Sequence, residues 1–148
     1  MVGRDHAARF HDGSSPPVAP DAVTALDQRF DADGLYALRA AVAAHAAQLG
    51  AGEETVEELV VIANELATNA IRHGGGAGRL RLWRDGPVIR CEVSDGGPGV
   101  DPAAGHERAP LTAYGGRGLW VVRQMSRDVD VTTGPRGATV TAAIPIDR

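Results

Sequence analysis

Lysine is absent from this chain, and all 15 of its cationic residues are arginine. That removes a lysine nucleophile and the lysine of a Walker-type phosphate loop from consideration. With the high alanine and glycine content, it speaks for coding bias as much as for mechanism. Cysteine occurs once, at Cys91, which excludes an intrachain disulfide and a cysteine-based zinc site and fits a reducing cytoplasm. Its place in an alternating apolar run predicts a buried core thiol. Aromatic residues make up 4% of the sequence, so the core is expected to be aliphatic. No run of about 18 apolar residues exists for a membrane span, and residues 1–20 lack the apolar centre of a signal peptide. Positive charge is not in excess either: a formal net charge of −4 argues against direct nucleic-acid binding, which needs a basic face. A cytoplasmic protein is expected.

What is present is enough for one substantial core, since 43% of the 148 residues are hydrophobic. Residues 1–24, with Gly13-Ser14-Ser15-Pro16-Pro17 and Pro20, lack periodicity and read as a flexible leader, in which His6 and His11 are solvated rather than ligands. Residues 25–148 then form a single domain. A short edge strand is expected near Leu26 to Phe30, followed by a helix capped by Asp33 and running to Leu49. Gly50 to Gly52 ends it, and Glu53, Glu54, Glu57 and Glu58 load the start of a second helix, where carboxylates complement the dipole. From Arg79 the apolar period changes to two, and Asp85-Gly86 marks a tight hairpin before Val88 to Val93. A Pro/Gly/Ala-rich connection without usable period runs to Tyr114; at that length it is disordered or functional. Gly115 to Gly118 opens a third helix, and a second hairpin turns at residues 134–137. Strands joined by hairpins with helices gathered between them predict an α+β fold: a two-layer sandwich with a mixed, mostly antiparallel sheet and helices on one face.

The second helix carries the chemistry. Leu59, Ile62, Ala63, Leu66 and Ala70 form one apolar stripe, and Glu65 and Asn69, one turn apart, project together at its edge. Asparagine in mid-helix costs a few tenths of a kcal/mol relative to better helix formers, so a chemical use is worth considering. Asn69 offers a neutral oxygen to a hard cation such as Mg²⁺, and Glu65 can take a proton from an attacking hydroxyl or water. A solvated helix edge is the plainer alternative. His73, near the helix end, complements the dipole or reaches a ligand.

Asp95 stands where a central strand ends, followed by Gly96-Gly97-Pro98-Gly99, which lets a ligand approach the backbone. A carboxylate there can accept from the exocyclic amine of adenine, where guanine would present a carbonyl; an ordinary turn is the alternative. Gly115-Gly116-Arg117-Gly118-Leu119 sits at a helix N-terminus, where free amides favour phosphate and Arg117 can add a charge-assisted contact.

Three motifs in this order carry a resemblance. From about Phe30 to Ile146 the chain resembles the ATP-binding domain shared by gyrase, Hsp90, histidine kinases and MutL, and within it the small anti-sigma-factor serine kinases of bacteria. Glu65-Leu-Ala-Thr-Asn69-Ala-Ile-Arg-His73-Gly matches the first motif, Asp95-Gly-Gly97-Pro-Gly99 the second and Gly115-Gly-Arg-Gly118-Leu the third. The resemblance implies the Bergerat sandwich, Mg²⁺-ATP bound beneath a lid of about residues 98–117, Asn69 on magnesium, Asp95 on adenine, Thr139 supporting Asp95 through its hydroxyl or a water, and Glu65 as general base. The implied partners are a sigma factor, held by a homodimer, and an anti-anti-sigma antagonist bearing the phosphorylated serine or threonine. The leader is not expected to supply the dimerisation helix of a histidine kinase, nor the length a gyrase or MutL transducer domain. Two departures stand out: the proline- and alanine-rich lid, and Arg117 between the glycines of the third motif. Other readings are a nucleotide-dependent binding module without phosphotransfer and a switch kinase acting on a stress-response scaffold.

Overall fold

The computed structural model describes residues 23–97 and 116–146. Most of the expected leader, with His6 and His11, lies outside these residues, as do residues 98–115 of the expected lid, with Gly99 and Gly115.

The chain begins with strand β1 (Val23–Asp31), longer than the short edge strand expected and taking in the last two residues assigned to the leader. Helix α1 (Leu35–Gln48) follows a 3-10 turn at Ala32–Gly34. The cap is Asp31 rather than Asp33: its Oδ1 accepts from the amides of Asp33, at 3.0 Å, and Gly34, at 3.2 Å. The strand's last residue thus caps the turn, and α1 starts at Leu35, one residue later than an Asp33 cap implies, with Gly34 at its N-cap offering no side chain.

Helix α2 (Glu53–His73) is the 21-residue axis of the molecule. Leu59, Ile62, Ala63, Leu66 and Ala70 are all buried, as the stripe requires. Hairpin β2 (Ala77–Asp85) and β3 (Val88–Asp95) turns at Gly86, whose φ of 62° suits glycine. Helix α3 (Gly116–Met125) leads to hairpin β4 (Asp128–Gly134) and β5 (Gly137–Pro145).

The strands order as β1-β2-β3-β5-β4. All four pairings are antiparallel, so the described sheet is wholly antiparallel where a mixed one was expected. The helices pack on one face: α2 on β2, β3 and β5, with α1 and α3 flanking it. Leu80, Leu82, Cys91, Val93, Val131, Val140 and Ala142 face this layer and form one core with α2. Each fully buried aliphatic side chain contributes roughly 1.5–3 kcal/mol relative to exposure. Burial pushes the Cys91 thiol up to about 12, with the nearby Glu92 charge adding to the effect.

The other face carries charge. Arg81 and Glu92, cross-strand partners, form an ion pair at 2.6 Å, and Arg81 lies 5.5 Å from the Trp83 ring centre. Trp83, placed by period among the polar positions of β2, is buried on this face. No described helix is long and apolar enough to cross a membrane.

Candidate nucleotide site

The site forms where α2, the end of β3, the start of α3 and the start of β5 converge. Glu65 and Asn69 follow Ala63 and Leu66 on α2, so packing of the stripe against the sheet leaves these two half-buried at its border. Helix α3 closes against them. A β-carbon on Gly118 would lie 3.0 Å from Glu65 Oε1 and 3.1 Å from Asn69 Nδ2. Only glycine brings the first turn of α3, with its unpaired amides, this near the two side chains. The Nδ2 atom of Asn69 is buried and has no hydrogen-bond partner among the described residues. Such a group is costly unless a ligand satisfies it. Amide ends are assigned rather than seen, so either end of this carboxamide can face an incoming group.

A cavity lined by Leu66, Asn69, Ala70, Val93, Asp95, Leu119 and Val140 joins the two ends of the site. Its walls are aliphatic, with Asn69 and Asp95 as polar points, and at about 20 Å³ it has room for roughly one water, so a larger guest requires its walls to part. Asp95 accepts a hydrogen bond from the Gly97 amide at 2.9 Å, and the Ala138 amide adds a second. Burial pushes its carboxyl above the usual aspartate range, while those two amides pull the other way.

Gly97 is held by close approach: a β-carbon there would lie 2.9 Å from the His73 carbonyl oxygen and run into the backbone of Gly74. The end of α2 and the turn after β3 therefore meet backbone to backbone. Gly137, at φ 139°, leaves room for the Asp95 carbonyl that a side chain would occupy.

The structure brings Glu65, Asn69, Asp95, Gly97, Gly118 and Leu119 together. Gly116 opens α3, and only the backbone of Arg117 is described. Thr139 stands elsewhere. Strand register pairs Ala138 with Asp95 and Thr139 with Ser94, so Thr139 shares the outer face with Ser94 while Val140 lines the cavity. Backbone amides hold Asp95, and the Thr139 hydroxyl, expected to support it directly or through a water, starts from the opposite face of β5. Sequence reading also passed over Val93 and Val140, which a period-two count back from Asp95 and forward from Ala138 would have placed on this face. Among the described residues no group of three or more His, Cys, Asp or Glu could hold a metal ion.

Comparison with known proteins bears on the family and the fold. A family model described as the histidine kinase-like ATPase domain matches residues 29–144. No curated protein matches the sequence. Among solved structures, the histidine kinase domain from Erythrobacter litoralis EL346 blue-light activated histidine kinase is 23% identical, with a TM-score of 0.49 over 74% of this chain. The chain covers 65% of that protein. The histidine kinase AdeS of Acinetobacter baumannii is 12% identical, with a TM-score of 0.52 over 82% of this chain and 68% of its own, a likeness of fold alone. With the family model spanning most of the chain and the fold built as described, this chain belongs to the family of histidine kinase-like ATPase domains.

Proposed function

We propose that this domain is an Mg²⁺-ATP-dependent protein serine/threonine kinase of the anti-sigma type. In this reading it phosphorylates an anti-anti-sigma antagonist and, as a cytoplasmic homodimer, sequesters a sigma factor; it contacts neither nucleic acid nor membrane. One observation carries it: the Glu65 carboxylate and the Asn69 carboxamide meet at Gly118, on the first turn of α3. A domain that only binds nucleotide needs no carboxylate there.

The residues fit the groups the reading requires. The unsatisfied carboxamide of Asn69 suits a cation held mainly by phosphate oxygens and water, as Mg²⁺ commonly is. Bound Mg²⁺-ATP supplies the transferable phosphoryl group and the cation that screens its charge. Asp95 accepts from the adenine amine, and Val93, Leu119 and Val140 wall the ring from water. The first amides of α3 and the helix dipole face the phosphates. Glu65 takes the proton as the partner's hydroxyl oxygen bonds to the γ-phosphorus and ADP leaves with the electron pair of the broken P–O bond.

Calorimetric titration with ATP and GTP, with and without Mg²⁺, tests the site. Wild type should bind ATP selectively and Mg²⁺-dependently, with Asp95→Asn losing adenine selectivity and Asn69→Ala the Mg²⁺ dependence. Transfer of label from γ-labelled ATP to a co-purified antagonist tests the chemistry. Glu65→Ala should bind ATP yet transfer about a hundredfold more slowly. Undiminished transfer by that variant, or equal affinity for ATP and GTP, would sink the reading.

A further inference from the structure

Across the Asp95 turn from the nucleotide cavity lies a second, larger groove of about 490 Å³, bounded by residues 74–78 and the ends of β1, β2 and β3. Gly74, Gly75, Gly78 and Gly96 line it, so much of its wall is peptide backbone, and Phe30 lines it as well. Arg29 of β1, Arg79 of β2 and Ser94 of β3 are register partners and form one row across the outer face of the sheet. All three line the groove.

This row is electrostatically incomplete. Arg29 and Arg79 stand directly opposite each other, and like charges so placed repel. Asp27 pairs directly with one of them and attracts the other at longer range: its carboxylate accepts from Arg79 Nε at 2.7 Å and Nη2 at 2.5 Å, which leaves Arg79 Nη1 uncommitted. Arg29 is exposed and makes no hydrogen bond or ion pair among the described residues, and the Ser94 hydroxyl likewise has no partner there. Two guanidinium groups, one hydroxyl and glycine backbone converge on a space whose one lining carboxylate among the described residues, Asp95, is tied to the Gly97 and Ala138 amides, while Asp27 stands beside the arginines outside the lining.

We propose that this groove is a second anion site, distinct from the nucleotide cavity, that takes a phosphate monoester, with Arg29, Arg79 Nη1 and Ser94 donating to its oxygens. A dianion with three strong acceptors matches this donor set, and guanidinium groups suit its geometry. The groove has room beyond the phosphate for the group that carries it. That group is a phosphorylated protein side chain or a small metabolite, and the chemistry recognised is the same. Because Asp95 lines both cavities, occupancy here is placed to alter adenine affinity on the other side of the turn.

The test is a heteronuclear NMR titration of the ¹⁵N-labelled full chain at pH 7.5 and constant ionic strength, with inorganic phosphate, N-acetylphosphoserine amide, N-acetylserine amide and chloride. Saturable shifts of the Gly75, Gly78, Ser94 and Gly96 amides are expected with the two phosphate probes alone. Arg29→Gln, an exposed substitution, should weaken them roughly tenfold or more while the core amides keep their positions. Tighter binding of the phosphoserine derivative than of phosphate indicates a modified protein; equal binding indicates a small ligand. Shifts confined to residues 116–119, shifts unchanged in Arg29→Gln, or equal shifts with chloride would overturn the proposal.

Discussion

The Asp95 carboxylate lies against Gly74, so the Asp95 side chain alone stands between the end of α2 and the end of β3. A β-carbon on Gly74 would fall 2.5 Å from Asp95 Oδ2. The backbone there, at φ −112° and ψ 23°, is open to other residues, so the clash is the main obstacle to a larger one. Gly74→Ala should cost about 1–3 kcal/mol through overpacking and weaken ATP binding by roughly tenfold or more through displacement of Asp95. Chemical denaturation and calorimetry on one preparation check both; wild-type affinity would show that Asp95 can move aside without loss.

Gly118→Ala separates stability from binding. Inside α3 alanine is favoured over glycine by about 1 kcal/mol, so the variant should be no less stable than wild type. Its methyl group nonetheless enters the space between Glu65 and Asn69. Mg²⁺-ATP affinity should fall roughly tenfold or more as that space is lost. A stable variant that binds normally would mean the two side chains swing away at no cost.

The raised Asp95 carboxyl sets a pH dependence. The adenine amine needs an ionised acceptor, so ATP binding should be full at neutral pH and decline as pH falls through the Asp95 transition. Because burial raises that transition, the decline should begin above the usual aspartate range. In Asp95→Asn this pH dependence should vanish, together with most of the affinity. Calorimetric titrations across the acid range compare the two; an unchanged profile would assign the titration to another group.

Arg81 and Glu92 make a different pH test. Burial raises the Glu92 carboxyl, and Arg81, then Thr141, oppose the rise. A group whose pKa is raised on folding stabilises the native state below its unfolded value, and that contribution is lost as pH rises through the folded value. Arg81→Ala should lift the Glu92 value further and cost about 3 kcal/mol at neutral pH, where an unpaired buried carboxylate remains. Adding Glu92→Gln should recover much of the loss. Denaturation midpoints at acid and neutral pH measure it, and a single variant as stable as wild type at pH 7 would contradict the ion pair's role.

Cys91 reports on the whole fold. With its thiol held up to about 12 and fully buried, it should resist thiol reagents at pH 8 in the native state and react in proportion to unfolding. Rapid labelling of the folded protein would show local opening of β3.

Helix α2 was legible because one signal ran through it unbroken: a 3.6-residue apolar period, acidic residues at its start and Gly74 at its end. Both hairpins were legible from period two and their glycine turns. What escaped depends on register, which no local pattern carries. The resemblance assigned Thr139 to Asp95, but antiparallel pairing puts Ala138 opposite Asp95 and turns Thr139 to the other face. The cap moved from Asp33 to Asp31 because β1 continues to the very start of the turn. Trp83 kept the alternation that put it among polar neighbours, yet it is buried on that face, which one strand's pattern does not reveal.

The strand order has a further consequence for how the domain assembles. The segments before residue 98 pair among themselves through β1, β2 and β3, and those after 115 through β4 and β5; within the sheet only the β3–β5 ladder joins the two sets. That seam closes a loop of more than forty residues, as the β1–β2 ladder also does, so both carry a closure entropy that the two hairpins do not. Asn69 and Asp95 lie on one side of it, Leu119 and Val140 on the other. On the proposed reading, nucleotide bound between them would act as a staple across the seam, raising the stability of the joined state in proportion to the logarithm of its concentration and leaving each separate half unaffected.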